Sequence, residues 1–265
     1  MQPAPPDDHL VRRLRAAGCV FAEDEARLLG AAASSAGELA DLVERRVAGA
    51  PLEVLLGWVE FCGLRIVVAP GVFVPRRRTE ALVAEAVRLT GPGAVVVDLC
   101  CGSGAVAAAV LTVRPDVDLH AADVDPAAVA CARGNLPGVP VHEGDLFDAL
   151  PEELRGRIAV LTANVPYVPT DAIALMPPEA RDHEPRGTLD GGPDGLALAR
   201  RVAADGAAWL APGGSLLFEC SEGQASAALE LVTAVGLRAR QVSDDERGAT
   251  VVVGTRARGV PAGTR

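Results

Sequence analysis

The chain has 265 residues, enough for one large or two small domains, and 49% of them are apolar against 23% charged. That balance excludes a mostly disordered protein. Its 25 basic residues, all arginine, stand against 35 acidic ones for a net charge of −10, which argues against stable binding to nucleic acid through its phosphates.

Residues 1–6 are Pro-rich and read as a frayed start. From Asp8 to about Pro51 the apolar residues recur at helical spacing, and Gly18, Gly30, Gly37 and Gly49 are expected to break the stretch into three or four short helices. A further helical turn, Pro51 to Leu56, stops at Gly57. Then the period changes: Trp58–Phe61 and Leu64–Val68 read as two strands of a hairpin turning at Cys62-Gly63.

Beyond Pro75 strands and helices alternate. Thr79–Leu89 is an amphipathic helix, Ala94–Asp98 an apolar strand, Ala105–Thr112 a helix, Val117–Ala122 a strand, and Pro126–Gly134 a helix with Pro at its first position. Val139–His142 and Ile158–Ala163 are further strands. Leu196–Leu210 is a helix, Ser215–Glu219 a strand and Gln224–Ala234 a helix. Leu237–Val242 and Thr250–Val253, too close for a helix between them, should pair antiparallel, and residues 257–265 read as a tail. The alternation predicts an α/β fold with a mostly parallel, doubly wound sheet.

No apolar run reaches the ~18 residues of a membrane span, and the opening MQPAPPDDHLVRRL lacks the basic-then-apolar order of a signal peptide. Cys19, Cys62, Cys100, Cys101, Cys131 and Cys220 show no metal-site spacing. The expectation is a reduced, cytoplasmic protein with no resident metal and no membrane partner.

Asp98 to Gly104 (Asp-Leu-Cys-Cys-Gly-Ser-Gly) is a buried strand running into a small-residue turn at a helix start, where backbone N–H groups can approach an anionic ligand. A tight turn without a ligand would look similar. Asp123 ends the next strand ~20 residues on, placed for ribose hydroxyls, or else as a helix cap, although Asp125 before Pro126 suits that better. Asp145 follows the third strand, where its carboxylate could meet an adenine amine with Leu146 over the ring; an Asx turn is the bland reading. The glycines lack the third Gly of GxGxxG, and a chain without lysine has no Walker lysine. S-adenosylmethionine therefore fits better than NAD or ATP.

The fourth strand runs into Asn164-Val165-Pro166-Tyr167. A planar amide or amine nitrogen is a poor nucleophile because its lone pair is delocalised. The Asn side-chain oxygen and the next backbone carbonyl can draw off its hydrogens and aim the nitrogen, while an aromatic face packs on the flat group. His142 and His183 read as isolated histidines rather than bases, and Cys101 as small filler rather than a nucleophile. Arg76-Arg77-Arg78 reads as a solvated face, with Arg76 able to reach a substrate carbonyl.

These segments together resemble the protein-(glutamine-N5) methyltransferases, which modify peptide-chain release factors or a ribosomal protein. Asn164–Tyr167 is similar to the family's Asn-Pro-Pro-Tyr, with Val165 for the first Pro; Val74–Glu80 to its Ile-Pro-Arg-Pro-x-Thr-Glu, with Arg77 for the second Pro; Asp98–Gly104 to its methionine-side loop, with Cys100 where a Gly is usual; and 183–196 to its Glu-Pro-x-x-Ala-Leu-x-Gly-Gly-x-Asp-Gly-Leu. The resemblance implies a Rossmann-like S-adenosylmethionine-dependent methyltransferase with a seven-stranded sheet. It implies an N-terminal helical docking domain over 1–56, a hairpin linker over 57–75 and a methyltransferase domain over 76–256.

It further implies Asp98, Cys100, Cys101, Gly102, Ser103, Gly104, Asp123, Asp145, Leu146 and Asn164 around the cofactor. Asn164, Val165, Pro166 and Tyr167 would hold the glutamine of a protein substrate, with Glu184, Pro185 and Arg76 beside them. A methyltransferase of exocyclic base amines, a small-molecule N-methyltransferase and a non-catalytic adaptor that binds the cofactor are the alternatives.

Overall fold

The computed structural model describes residues 7–258; the Pro-rich start and residues 259–265 of the expected tail lie outside them. Helices α1 (Asp8–Ala16), α2 (Ala22–Ala32), α3 (Ala36–Val47) and α4 (Leu52–Leu56) enclose a small apolar cluster built on Leu10, Leu14, Ala26, Leu29, Leu42 and Val43. Asp7 and Ser35 cap α1 and α3 by accepting backbone N–H groups of His9 and Glu38. Inside the bundle Arg46 donates to both oxygens of Glu25, at 2.6 and 3.1 Å. Of the four glycines expected to break helices, only Gly18 and Gly49 do. Both lie just beyond a helix end at positive φ, whereas Gly30 sits within α2 and Gly37 in the first turn of α3 with ordinary helical backbone. A glycine punctuates a helix where the chain needs the left-handed region, not merely where it occurs.

Strands β1 (Trp58–Phe61) and β2 (Leu64–Val67) pair antiparallel around Cys62 and Gly63, both at positive φ, the two-residue hairpin geometry whose twist suits the strands. The hairpin is tied to the larger sheet by Asn135, whose side chain accepts from the Val67 N–H and donates to the carbonyls of Val67 and Ser103.

The remainder is α5 (Glu80–Leu89), β3 (Val95–Leu99), α6 (Ala105–Val113), β4 (Asp118–Asp123), α7 (Pro126–Asn135), β5 (Val141–Glu143), β6 (Ile158–Ala163), α8 (Pro178–His183), α9 (Ala197–Trp209), β7 (Leu210–Cys220), α10 (Ala225–Ala234), β8 (Arg238–Asp244) and β9 (Ala249–Thr255). The seven strands stand in the order β5-β4-β3-β6-β7-β9-β8, parallel except for β9, which runs antiparallel to both neighbours. Alternate residues feed the two faces: Val96, Leu217, Val251 and Val253 pack on one, Val95, Val97, Leu216, Phe218 and Val252 on the other. Burial on both faces explains why these strands read as continuous apolar runs rather than alternating ones.

Most element ends move by one or two residues from the sequence reading, and three differences have a structural cause or add elements. Strand β7 begins at Leu210, five residues earlier than expected, because 211–214 continue beside Ile158 through a register shift, with Gly214 lying where a Cβ would be 2.5 Å from the Ile158 carbonyl oxygen. Strand β5 starts after Pro140, which lacks the N–H a paired strand residue would donate. The stretch between Val168 and Leu196, read without elements, holds a 3-10 turn at Thr170–Leu175 and the short α8. Successive strands run outward from β3 in one direction and from β6 in the other, so the crevice for a ligand opens at the carboxyl ends of these two neighbours.

Candidate active site

A cavity of about 270 Å³ lies at that crevice. Its wall includes the loop after β3, the end of β4, the four residues after β6 and the Arg76–Thr79 segment. The loop enters it under backbone tension: Cys100 has φ +53, followed by Gly102 at +55 and Gly104 at +77. The left-handed conformation disfavours a side-chain-bearing residue by about 1–2 kcal/mol, so Cys100 carries a strain that Gly would not. Gly104 turns away from the cavity into α6, where a Cβ would lie 2.8 Å from Leu136 Cδ1. Gly102 faces open space, with nothing within 4 Å of a Cβ built on it.

Asp98 is buried, its carboxylate accepting from Thr162 Oγ1 at 2.7 Å and from the Ala107 N–H at 3.3 Å. Burial pushes its pKa up to about 7, and Asp123 nearby adds to the rise. Asp123 accepts from the Gly102 N–H at 2.9 Å and the Asp125 N–H at 3.0 Å, so it braces the glycine loop while its carboxylate lines the cavity; burial raises its pKa as well. Asp125 caps α7 through the Ala127 N–H. The thiols of Cys100 and Cys101 are driven above the ordinary cysteine value, first by burial and then by Asp123 and Asp98, leaving them protonated and poor nucleophiles.

Asn164 and Val165 follow β6 directly. Among the described residues no group donates to the Asn164 side-chain oxygen or to the Val165 carbonyl. Both residues line the cavity, and Val165 itself is buried. Tyr167 is held at its hydroxyl, which donates to Glu219 Oε1 at 2.7 Å, and at its carbonyl, which accepts from Gln224 Nε2 at 2.9 Å. Arg78 lies over its ring, 5.4 Å from the centroid. The Gly-rich stretch after Glu184 explains itself against this loop. Val168 donates to the Leu189 carbonyl and accepts from the Gly191 N–H, and a Cβ on Gly191 would be 2.7 Å from the Pro166 carbonyl, one on Gly195 2.2 Å from that of Tyr167. Glu184 is buried and ion-paired with Arg76.

Of the residues singled out from sequence, Arg76, Asp98, Cys100, Cys101, Gly102, Ser103, Asp123, Asn164, Val165, Pro166, Tyr167, Glu184 and Pro185 line the cavity; Gly104, Asp145 and Leu146 do not. The Asp145 carboxylate is paired with Arg201 of α9 at 2.7 Å, and Leu146, at φ +50, is packed into the sheet core. His142 is not isolated as expected: its Nε2 lies 3.1 Å from Nδ1 of His120 on the neighbouring strand. Arg76 and Arg78 are ion-paired rather than merely solvated. Sequence reasoning missed Glu219, Thr79 and Gln224. A carboxylate directly after the apolar Leu216-Leu217-Phe218 of an inner strand was the signal available for Glu219.

The methyltransferase small domain family model matches residues 63–171. A release factor glutamine methyltransferase of Geobacter sulfurreducens is 37% identical over 219 residues, spanning 81% of this chain and 76% of that protein. The enzyme of the same name from Mycolicibacterium smegmatis is 40% identical over 197 residues, 72% of this chain and 69% of its own. A methyltransferase from Pyrococcus furiosus superposes with a TM-score of 0.56 at 15% identity over 74% of this chain and 90% of that one, a likeness of fold.

Proposed function

Since the chain belongs to the release factor glutamine methyltransferase family and is thereby an S-adenosylmethionine-dependent protein-glutamine methyltransferase, we propose that its substrate is a peptide-chain release factor and that Asn164–Tyr167 hold the glutamine. The observation that carries this reading is a pair of cavity-lining residues, Asn164 and Val165, whose side-chain oxygen and carbonyl accept from no donor among the described residues. The substituted Pro leaves this pair intact, because it is a backbone carbonyl that the chemistry uses. S-adenosylmethionine, when bound, supplies a methyl carbon made electrophilic by its sulfonium sulfur.

The donor set fits that group. Asp123 offers a carboxylate to ribose hydroxyls, and open space beside Gly102 admits a ligand close to the backbone. Asp98 and Cys100 to Ser103 complete the wall on the methionine side. Asp145 would serve the adenine amine only on release from Arg201. On the substrate side, the two acceptors take the two hydrogens of the primary amide, which turns the nitrogen lone pair out of conjugation and toward the methyl. Tyr167 lies flat against the amide, and Glu184, Pro185 and Arg76 support the pocket. The nitrogen gains a methyl and gives one proton to solvent, so no side-chain base is required.

Residues 1–56 form the substrate-docking unit in this reading, 57–75 the linker and 76–256 the transferase domain; the separate apolar cluster of α1–α3 supports that division. No disulfide joins the described cysteines, in keeping with a cytoplasmic setting, and no described helix is long and apolar enough to cross a membrane.

Methyl-labelled S-adenosylmethionine with a purified release factor tests the proposal. Label on one glutamine amide is expected, reduced at least 100-fold in Asn164→Ala, as for loss of a preorganised acceptor, with cofactor affinity little changed. Label in nucleic acid, or none with Asn164→Ala indistinguishable from wild type, refutes it.

A further inference from the structure

Glu219 is a carboxylate at the catalytic edge that neither the cofactor nor the glutamine amide requires. It ends the apolar run of β7 and is 2% exposed. A charge taken that far from water must be compensated by hydrogen bonds or opposite charge. Its partners all come from the active-site walls. Oε1 accepts from the Tyr167 hydroxyl at 2.7 Å and is ion-paired with Arg78, whose Nε lies 3.0 Å away, and Oε2 accepts from Thr79 Oγ1 at 2.8 Å. In the sheet Ala163 is level with Phe218, which puts Glu219 beside Asn164 at the ends of adjacent strands.

A tyrosine ring has two soft torsions. Here the hydroxyl end is fixed by Glu219, one face is covered by Arg78, and the backbone behind is pinned by Gln224. We propose that Glu219 is a positioning residue for methyl transfer: through the Tyr167 hydroxyl it sets the plane of the ring against which the glutamine amide lies, and through Arg78 and Thr79 it locks that ring to the Arg76–Thr79 wall. The role rests on Tyr167 facing the glutamine, as proposed above.

Tyr167 is the single tyrosine of the chain, so the ultraviolet titration of tyrosinate reports on this ring alone. Burial and the Glu219 carboxylate hold its phenol above the ordinary value. Glu219→Gln keeps an acceptor for the hydroxyl and removes the charge. Its tyrosine is expected to ionise at lower pH than the wild-type ring, since one of the groups that hold it up is gone. The kcat for release-factor methylation should fall about 5-fold or more, as for a charge-assisted bond exchanged for a neutral one, while the affinity for S-adenosylmethionine measured by calorimetry stays the same. Tyr167→Phe removes the bond outright and should lower kcat at least as far, and the double variant should be no worse than the poorer single one, since both act on one link.

Full kcat in either single variant, additive losses in the double, or a tyrosine titration indifferent to Glu219→Gln overturns the role. Should Glu219→Gln fail to fold, Tyr167→Phe decides alone: reduced kcat with unchanged cofactor affinity supports the role and full kcat ends it. A wild-type protein that methylates no release factor defeats the glutamine reading itself, a result separable from active wild type with unaffected variants.

Discussion

Replacing Gly195 by Ala should damage this enzyme far more than one methyl group suggests. Gly195 has φ +76, and a Cβ there would fall 2.2 Å from both the Tyr167 carbonyl oxygen and Gln224 Nε2. The left-handed backbone alone disfavours Ala by about 1–2 kcal/mol. Relief must come by moving the Tyr167 backbone and by displacing Gln224, whose amide donates to the carbonyls of Tyr167 and Asp194, both at 2.9 Å. Losing those two bonds adds about 1–3 kcal/mol. The total, roughly 2–5 kcal/mol, corresponds to a melting temperature lower by about 5–15 °C for a domain of this size.

Gly236 provides the control. It has φ +82 beyond α10, with nothing within 4 Å of a built Cβ, so Gly236→Ala should show the backbone term alone. Scanning calorimetry on both variants, with kcat measured alongside, separates the two contributions. Gly195→Ala should also lose activity by about 100-fold, because a shift of ~1 Å at Tyr167 is enough to spoil alignment. Equal melting points for the two variants, with kcat intact in Gly195→Ala, would refute the reasoning.

Asp98 makes a pH prediction. Its pKa stands at about 7 against an ordinary 3.8, so the folded state keeps a proton that the unfolded chain has released, and stability falls as pH rises from about 4 to about 7. At 1.36 kcal/mol per unit the effect is at most about 4 kcal/mol. Asp98→Asn should therefore melt higher than wild type at pH 8 and lose that advantage at pH 4, its amide facing Thr162, whose hydroxyl can turn to the Val97 carbonyl 3.4 Å away. The His120–His142 pair acts in the opposite sense. Burial and His120 hold His142 below its ordinary value of 6.5, so the unfolded chain takes up the proton first and stability is lost as pH falls below 6.5. Lowering the pH from 7.5 to 5.5 should therefore favour folding more in His142→Gln than in wild type, read as the change in urea midpoint.

The sheet was legible because its inner strands β3, β6, β7 and β9 carry apolar runs, and because Asp125-Pro126 marks a helix start by cap and ring together. Asn164–Tyr167 was legible because its chemistry is contained in four consecutive residues. Glu219 was not, since its partners lie 52 and 140 residues away in sequence and nothing local distinguishes it from a carboxylate at a strand end. Asp145 shows the converse: its neighbours suggested a ligand, while the residue that engages it, Arg201, arrives from a helix 56 positions later. The glycines after Glu184 could be matched as a pattern, but their cause, the carbonyls of Pro166 and Tyr167 pressed against them, exists only once the two loops meet.

Arg76 grips Glu184 on one wall, and Arg78 and Thr79 grip Glu219 on the other. Three peptide links, at most about 11 Å of chain, separate the outermost grips. That short stretch is a ruler: covalent geometry, rather than the softness of side-chain packing, gauges how far the two walls can stand apart. One residue inserted between Arg76 and Thr79 would lengthen the ruler by a full step, and the mouth for an incoming glutamine would then be cut to a different size.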